Sequence, residues 1–385
     1  MNAAAPTLIE MLAQLVAVPS VSSHDPRLDQ GNRGVVERLA GWFADLGFAV
    51  ELMPVAPAAG KYNLIARSGD GDAELVLAGH TDTVPCDADL WRSDPFQLTE
   101  RDGRLHGLGA ADMKGFFTAV IEALRTIDRQ RLRRPLVVVA TADEESSMAG
   151  VKHLIESGRV TGRRVVIGEP TGLQPVRMHK GVMMESIRVQ GRSGHASDPG
   201  LGASALEGMY AVIGELLRWR QSLADRYREP LFRIAVPTVN LGHIHGGDSP
   251  NRICGRCELH LDLRLLPGMT IGEVREELRQ RIAAALRDTG MTFEVTPLFD
   301  GLPPLQTPAD AEIVRLTERL TGRSAGAVSF GTEAPYFQSL NIEPVILGAG
   351  DIAQAHQPDE YVAADQLVAL AGVLEGMINH FCMNA

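Results

Sequence analysis

His80 and Asp82 stand two residues apart in Leu75-Val76-Leu77-Ala78-Gly79-His80-Thr81-Asp82, at the end of a short apolar run. On an extended chain, residues two apart face the same way. An imidazole and a carboxylate so placed suit a metal ligand and the acceptor that orients it through its other ring nitrogen. They equally suit a capping aspartate beside a surface histidine. Three more apolar runs end in similar side chains. Residues 135–141 lead into Asp143-Glu144-Glu145, 164–167 into Gly168-Glu169-Pro170, and 344–348 into a loop carrying His356. Asp112, within Gly107-Leu108-Gly109-Ala110-Ala111-Asp112-Met113-Lys114, precedes a long helical pattern. Its two oxygens could bridge two cations, or it could cap that helix. Glu144 and Glu145 are neighbours whose side chains diverge, so one ligand and one general base is an economical division. The alternative is an exposed acidic turn. Pro170 biases Glu169 to an extended conformation. Two imidazoles and several carboxylates are a donor set for two divalent ions and for hydrolysis by metal-activated water.

Residues this far apart meet only if the fold brings them together. Short apolar runs with polar tips are the signature of central strands in an α/β sheet, and such sheets carry their sites beyond the carboxyl ends of the strands. Thr7 is placed to cap a helix burying Leu8, Met11, Leu12 and Leu15. A second helix shows Val36, Leu39, Trp42, Phe43 and Leu46 and stops at Gly47. Strands and helices alternate to about residue 180, and a last helix over 365–381 carries Leu367, Leu370, Val373, Leu374 and Ile378 on one side. The middle reads differently. Strand 183–192, helix 203–219, strands 238–245 and 253–266, helix 271–286 and strand 291–297 follow the β-α-β-β-α-β order of a ferredoxin-like unit. The fold class is therefore α/β, a doubly wound catalytic domain with an inserted α+β domain. Glu169 and His356 are needed at one site, so the catalytic domain comprises 1–179 and 302–385, and the insertion 180–301.

The 385 residues are too many for one ordinary domain. A net charge of -11 argues against a nucleic-acid surface. No Lys or Arg precedes Arg27, and no apolar run is expected to cross a bilayer. Four cysteines in this length do not make a disulfide framework. These features imply a soluble cytoplasmic protein without membrane or nucleic-acid partners. Cys254-x-x-Cys257 reads as two free thiols, since Cys86 and Cys382 supply no second pair. Gly107-Leu108-Gly109 opens no dinucleotide-binding turn. His243 and His245 would face one side of a strand, but no further ligand accompanies them in sequence.

In order, His80-Thr81-Asp82, Asp112-Met113-Lys114, Asp143-Glu144-Glu145, Gly168-Glu169-Pro170-Thr171 and His356 resemble the zinc-dependent aminoacylase and carboxypeptidase family, over essentially the whole chain. The resemblance implies a zinc-exopeptidase-like catalytic domain, a lid and dimerisation domain, and a homodimer. It assigns His80 and Glu169 to one metal, Glu145 and His356 to the other, and Asp112 to both, with Zn2+ as the ion and Co2+ as the alternative. Glu144 matches the general base and Asp82 the residue orienting His80. A cis peptide is implied between Asp112 and Met113. His195, in Gly191-Arg192-Ser193-Gly194-His195, matches a histidine that reaches the neighbouring subunit's site and donates to the oxyanion. Asn251 and Arg264 match substrate-binding positions, Arg264 as a carboxylate fork. Residues 240–248 and 330–335 resemble the acetylornithine deacetylase branch rather than the desuccinylase branch. That implies a small N-acylated amino acid as substrate, N2-acetylornithine in arginine biosynthesis. Thr332 is then placed for its carboxylate, together with Arg264, and Glu333 for its ammonium, unless Glu333 pairs with a base such as Arg323. The competing readings are a deacylase or dipeptidase of another substrate, and a silent homologue that only binds. All five ligand positions and Glu144 are present, which argues against silence.

Overall fold

The computed structural model describes residues 5–56 and 60–383, in two compact units. One comprises the chain up to Arg177, Thr307–Gly326 and the chain from Thr332; the other comprises Met178–Gln306 and Ala327–Gly331.

The first unit is built on a mixed sheet. Its strands run in the order Ala49–Ala56, Lys61–Ser68, Leu136–Thr141, Ala73–His80, Gly162–Ile167, Glu343–Ile346. The last four are parallel, and the first two are antiparallel additions at one edge. Every residue of Ala73–His80 is buried, as a strand covered on both faces requires. Leu75 and Leu77 join one large cluster with Leu136 and Val138 and with helices Leu8–Val16, Arg33–Asp45, Gly115–Thr126 and Ala364–Ile378. Val76 and Ala78, of opposite parity, are buried outside that cluster.

Local chemistry sets the helix ends. Thr7 and Glu10 form a reciprocal capping box at the start of Leu8–Val16, and Leu8, Met11, Leu12, Leu15 and Val16 are buried. Arg33–Asp45 ends before Gly47, whose φ of 73° is the left-handed conformation glycine tolerates. Trp42 and Leu46, expected on its apolar face, are only half-buried. One expectation fails. Ala364–Met383 is long and apolar enough by composition to cross a bilayer, with mean hydropathy 1.2. Its apolar face instead packs on Gly115–Thr126, burying Leu367, Leu370, Leu374 and Ile378. A core helix between sheet and neighbouring helix is apolar on most sides for the same reason as a membrane span.

The second unit has the ferredoxin-like order. Its antiparallel sheet runs Thr238–Gly246, Arg256–Leu265, Gly181–Gln190, Thr292–Pro297. Arg256–Leu265 alternates strictly, with Cys257, Leu259, Leu261, Leu263 and Leu265 inward. Those residues share a core with Met209, Val212, Leu216 and Trp219 of helix Ala205–Arg226 and Leu278 and Ile282 of helix Ile271–Ala285. The sequence pattern ended the first helix near Trp219, whereas it runs on to Arg226 because Leu223 continues the buried stripe. Entry and exit of this segment are strand neighbours, with His179 opposite Leu305 and Met178 opposite Gln306.

Candidate metal centre

The register of the parallel strands decides what can meet. His80 lies opposite Thr141, Ala78 opposite Ile167, and Ile167 opposite Ile346. The residues after each strand therefore emerge along one edge, carrying Glu144 and Glu145, Glu169, and the loop to His356.

There, His80 Nε2 is 3.0 Å from Asp112 Oδ1 and 4.0 Å from Glu169 Oε1. His356 Nε2 is 3.5 Å from Asp112 Oδ2 and 3.1 Å from Glu145. Asp112 thus presents one oxygen to each imidazole. Ligand atoms of His80, Asp112 and Glu145 lie within 4.8 Å of one another. His80, Asp112 and Glu169 are buried, Glu144 and Glu145 are half-buried, and His356 is exposed. Asp82 differs in detail from expectation. His80 Nδ1 is 3.0 Å from the Asp82 backbone oxygen and 3.7 Å from its carboxylate, whose other oxygen accepts the Glu145 N–H.

These groups disfavour one another's charges. Burial, then the charge of Glu169, raises the Glu144 carboxyl well above its ordinary range. Burial and Asp112 raise Glu145, and raise Glu169 further. Burial opposes protonation of His80, but its hydrogen bond to Asp112 and the surrounding carboxylates raise it well above 6.5. The hydrogen bond to Glu145 lifts His356 to about 9. Buried Glu169 Oε1 and Asp82 Oδ1 have no hydrogen-bond partner among the described residues. An orphaned carboxylate oxygen beside two imidazoles and two further carboxylates fits divalent cations with mixed nitrogen and oxygen ligands.

Several residues that hold this edge were not singled out from sequence. The Glu360 carboxylate accepts the N–H groups of Gly109, Ala111 and Asp112 at 2.8–3.1 Å, fixing the loop that presents Asp112. The Asp112–Met113 peptide is cis, as the resemblance implied. Gly79 has no Cβ because the Met113 side chain occupies that space. Lys114, fully buried, donates to Leu15 O and Val18 O and ties the same loop to the first helix. The Asp143–Met148 turn is anchored from below. Asp143, at φ 60°, accepts from the Lys61 ammonium and the Ser22 hydroxyl, and Lys61 also binds Asp29. A lysine opening a buried strand was the available signal, legible only once Asp143 was known to lie beside it.

The remaining candidates fall in two places. In the first unit, Thr332 and Glu333 are fully buried. The Thr332 hydroxyl accepts from Ala334 N. Among the described residues neither Glu333 oxygen has a hydrogen-bond partner, and burial raises its carboxyl to about 7 against the pull of Thr141 and His80. The Thr141 hydroxyl itself donates to Gly79 O. Arg323 donates to Gly172 O, so the pairing with Glu333 is not formed. In the second unit, His195 is exposed, with Nδ1 2.7 Å from the Ser197 hydroxyl. Asn251 lies next to it, its backbone oxygen accepting from Ala196 N and its side chain from Ser249. Both fork nitrogens of Arg264 are occupied by Asp262.

Residues 76–380 match the family model described as peptidase family M20/M25/M40. The chain belongs to that family. It is accordingly a metal-dependent hydrolase. An acetylornithine deacetylase from Pectobacterium carotovorum subsp. carotovorum is 48% identical over 377 residues, covering 98% of both chains. Another from Edwardsiella ictaluri is 47% identical over 382 residues, covering 99% of this chain and 100% of that one. Among solved structures, a Staphylococcus aureus tripeptidase superposes with TM-score 0.75 at 21% identity, covering 97% of each chain. A Bacillus subtilis peptidase described as dinuclear metal-binding and of the M20 family gives 0.69 at 15%, covering 96% of each. Both share the M20 fold.

Proposed function

We propose that the chain hydrolyses N2-acetyl-L-ornithine to L-ornithine and acetate, a step of arginine biosynthesis. The observation that carries this reading is near-full-length identity of 45–48% to four relatives named acetylornithine deacetylase. His80 and Glu169 would hold one divalent ion, Glu145 and His356 the other, and Asp112 both; Zn2+ suits these donors and Co2+ substitutes. When bound, the ions polarise the acetyl carbonyl and acidify water.

The protein's own groups do the rest. Glu144 takes the proton of the attacking water and returns it to the leaving amine. Its carboxyl lies in a half-buried position among other carboxylates, where a proton is readily held. His195 donates to the oxyanion from the Gly191–Ser197 loop, and the Met178–Gln306 unit acts as lid and dimerisation domain. Arg264 and Thr332 hold the substrate carboxylate, Arg264 by exchanging Asp262 for it, and Asn251 binds the substrate. Glu333 receives the side-chain ammonium, a cation that its two unpartnered oxygens lack. The chain forms a homodimer. Leu206, Tyr210 and Leu217 lie on one face of Ala205–Arg226, and Tyr210 is 80% exposed. Ile244, on edge strand Thr238–Gly246, is exposed as well. The protein acts in the cytoplasm, on a small-molecule substrate.

The test is purified, metal-analysed protein assayed in parallel on acetylornithine, succinyl-diaminopimelate and a dipeptide. Preference for acetylornithine supports the reading. Turnover of either other substrate with a higher kcat/KM overturns it in favour of another deacylase or a dipeptidase.

A further inference from the structure

His243 and His245 face one side of strand Thr238–Gly246, and the fold supplies the ligand that the sequence did not show. Across the ladder, His243 pairs with His260 and His245 with Glu258. Directly opposed side chains have Cβ atoms about 5 Å apart, and two-residue neighbours along a strand about 7 Å. The rings of His243 and His260 are 5.0 Å apart between centroids. Three imidazoles therefore share one small patch on the sheet face turned away from the helices. His243 and His245 line a cavity of about 630 Å³ together with Ser193, Asp248, Cys254 and Glu258.

Glu258 makes this more than a group of surface histidines. His260 Nε2 is 2.9 Å from Glu258 Oε1, so that N–H donates to the carboxylate. In the neutral ring this leaves the lone pair on Nδ1, the arrangement in which a carboxylate orients a metal-bound histidine. Glu258 is itself held by Arg188, Arg256 and Ser186. Those hydrogen bonds, His260 first, keep its carboxyl down at about 2. The guanidiniums of Arg188 and Arg256 are thereby paired, Arg188 also with Glu294, and Arg252, which lines the cavity, pairs with Asp248.

We propose that His243, His245 and His260 form a divalent transition-metal site, separate from the His80 and His356 centre, with Glu258 as the positioning residue of His260. Imidazole-only ligands select zinc, nickel or copper over magnesium or calcium. Among the described residues only His80, Asp112 and Glu145 already gather three ligand atoms within 4.8 Å. The proposed site closes when the exposed His243 and His245 rings turn onto the ion, a rotamer motion that exposed side chains make freely. An ion there would clip edge strand Thr238–Gly246 to Arg256–Leu265 beside the loop that carries Asn251.

The test is equilibrium dialysis of the full chain, first loaded with zinc at the two-metal centre, against graded Ni2+, with metal content read by mass spectrometry. Wild-type protein should take up one nickel beyond the two-metal complement. The double variant His243→Gln, His245→Gln should lose that nickel and keep the other two ions. Glu258→Gln should retain it with an affinity about 10–100-fold weaker. His80→Ala, which damages the catalytic centre, should leave nickel uptake unchanged. No additional nickel in the wild-type protein, or undiminished uptake by the double variant, overturns the proposal. Unchanged affinity in Glu258→Gln removes the positioning role.

Discussion

Replacing Lys61 by Met tests how the Glu144–Glu145 turn is held. The Lys61 side chain is 6% exposed, and its ammonium lies 2.7 Å from Asp29 and 2.5 Å from Asp143, which is itself 11% exposed. Methionine preserves the bulk and removes the charge. Among the described residues, Asp143 then keeps the Ser22 hydroxyl against its buried carboxylate. Breaking a buried pair by removing one partner costs about 3–5 kcal/mol, because the remaining charge is left uncompensated. For a unit of this size each kcal/mol lowers Tm by about 2–4 °C, so a drop of about 6–20 °C is expected. Asp143 is contiguous with Glu144, so relaxation of Asp143 moves the base and the ligand together. A displacement near 1 Å is worth about 100-fold in turnover. The assay combines calorimetry, metal content and kcat on the metal-loaded protein. A Tm within about 2 °C of wild type, with kcat intact, would refute the anchoring role, since so small a shift corresponds to less than about 1 kcal/mol. Lys61→Arg should lie between the two, because it keeps the charge in altered geometry.

Glu144→Gln should keep its metal complement and lose about 100- to 10,000-fold in kcat, whereas Glu145→Gln should lose metal first; near-normal kcat in Glu144→Gln would place the base elsewhere. Mixed dimers of His195→Ala and Glu144→Gln chains should regain activity at one site per dimer; verified mixing without recovery would reject a cross-subunit role. Glu333→Gln should raise KM for acetylornithine by the worth of a charged hydrogen bond, about 1.5–3 kcal/mol, and barely change it for acetylmethionine; equal losses on both would show that it supports the site without reading the ammonium. His179 is fully buried, with Nε2 unpartnered among the described residues, and burial lowers it to about 4 from 6.5. The unfolded chain takes up that proton first, so unfolding free energy should fall as pH drops from about 6.5 to about 4, by about 3 kcal/mol in all. His179→Gln should flatten that slope in denaturant titrations; an unchanged slope would assign the acid sensitivity to other groups.

What could be read beforehand was what repeats along the chain. Apolar runs with polar tips located the four central strands, and alternation with helical periodicity located the second unit's elements to within a few residues, except that helix Ala205–Arg226 runs seven residues past its expected end at Trp219. Their order sufficed for the ferredoxin-like topology. Ligand-type side chains at strand ends were legible because a parallel sheet aligns such ends. The supporting contacts were not. Glu360 sits four residues after His356, and nothing in that spacing says that its carboxylate faces three N–H groups some 250 residues earlier. The same holds for Lys61 with Asp143, since long-range pairing depends on register, which periodicity leaves open. Arg264 was read as an available fork, whereas a strand brings its own i−2 neighbour, Asp262, to the same face.

The neck formed by His179 and Leu305 bears on how a long segment can interrupt a metal-binding core. A flexible loop of about a hundred residues costs roughly 4 kcal/mol to close, and that cost would fall on bringing Glu169 and His356 together. A folded segment whose ends leave as adjacent antiparallel strands asks no more of its host than a short hairpin does. Loop entropy is then set by the few residues at the neck and is insensitive to what lies between them. Lengthening or trimming the distal turns of the insertion should therefore change metal affinity little, whereas disrupting the pairing at Met178 and Gln306 should weaken the ions' hold without touching a ligand.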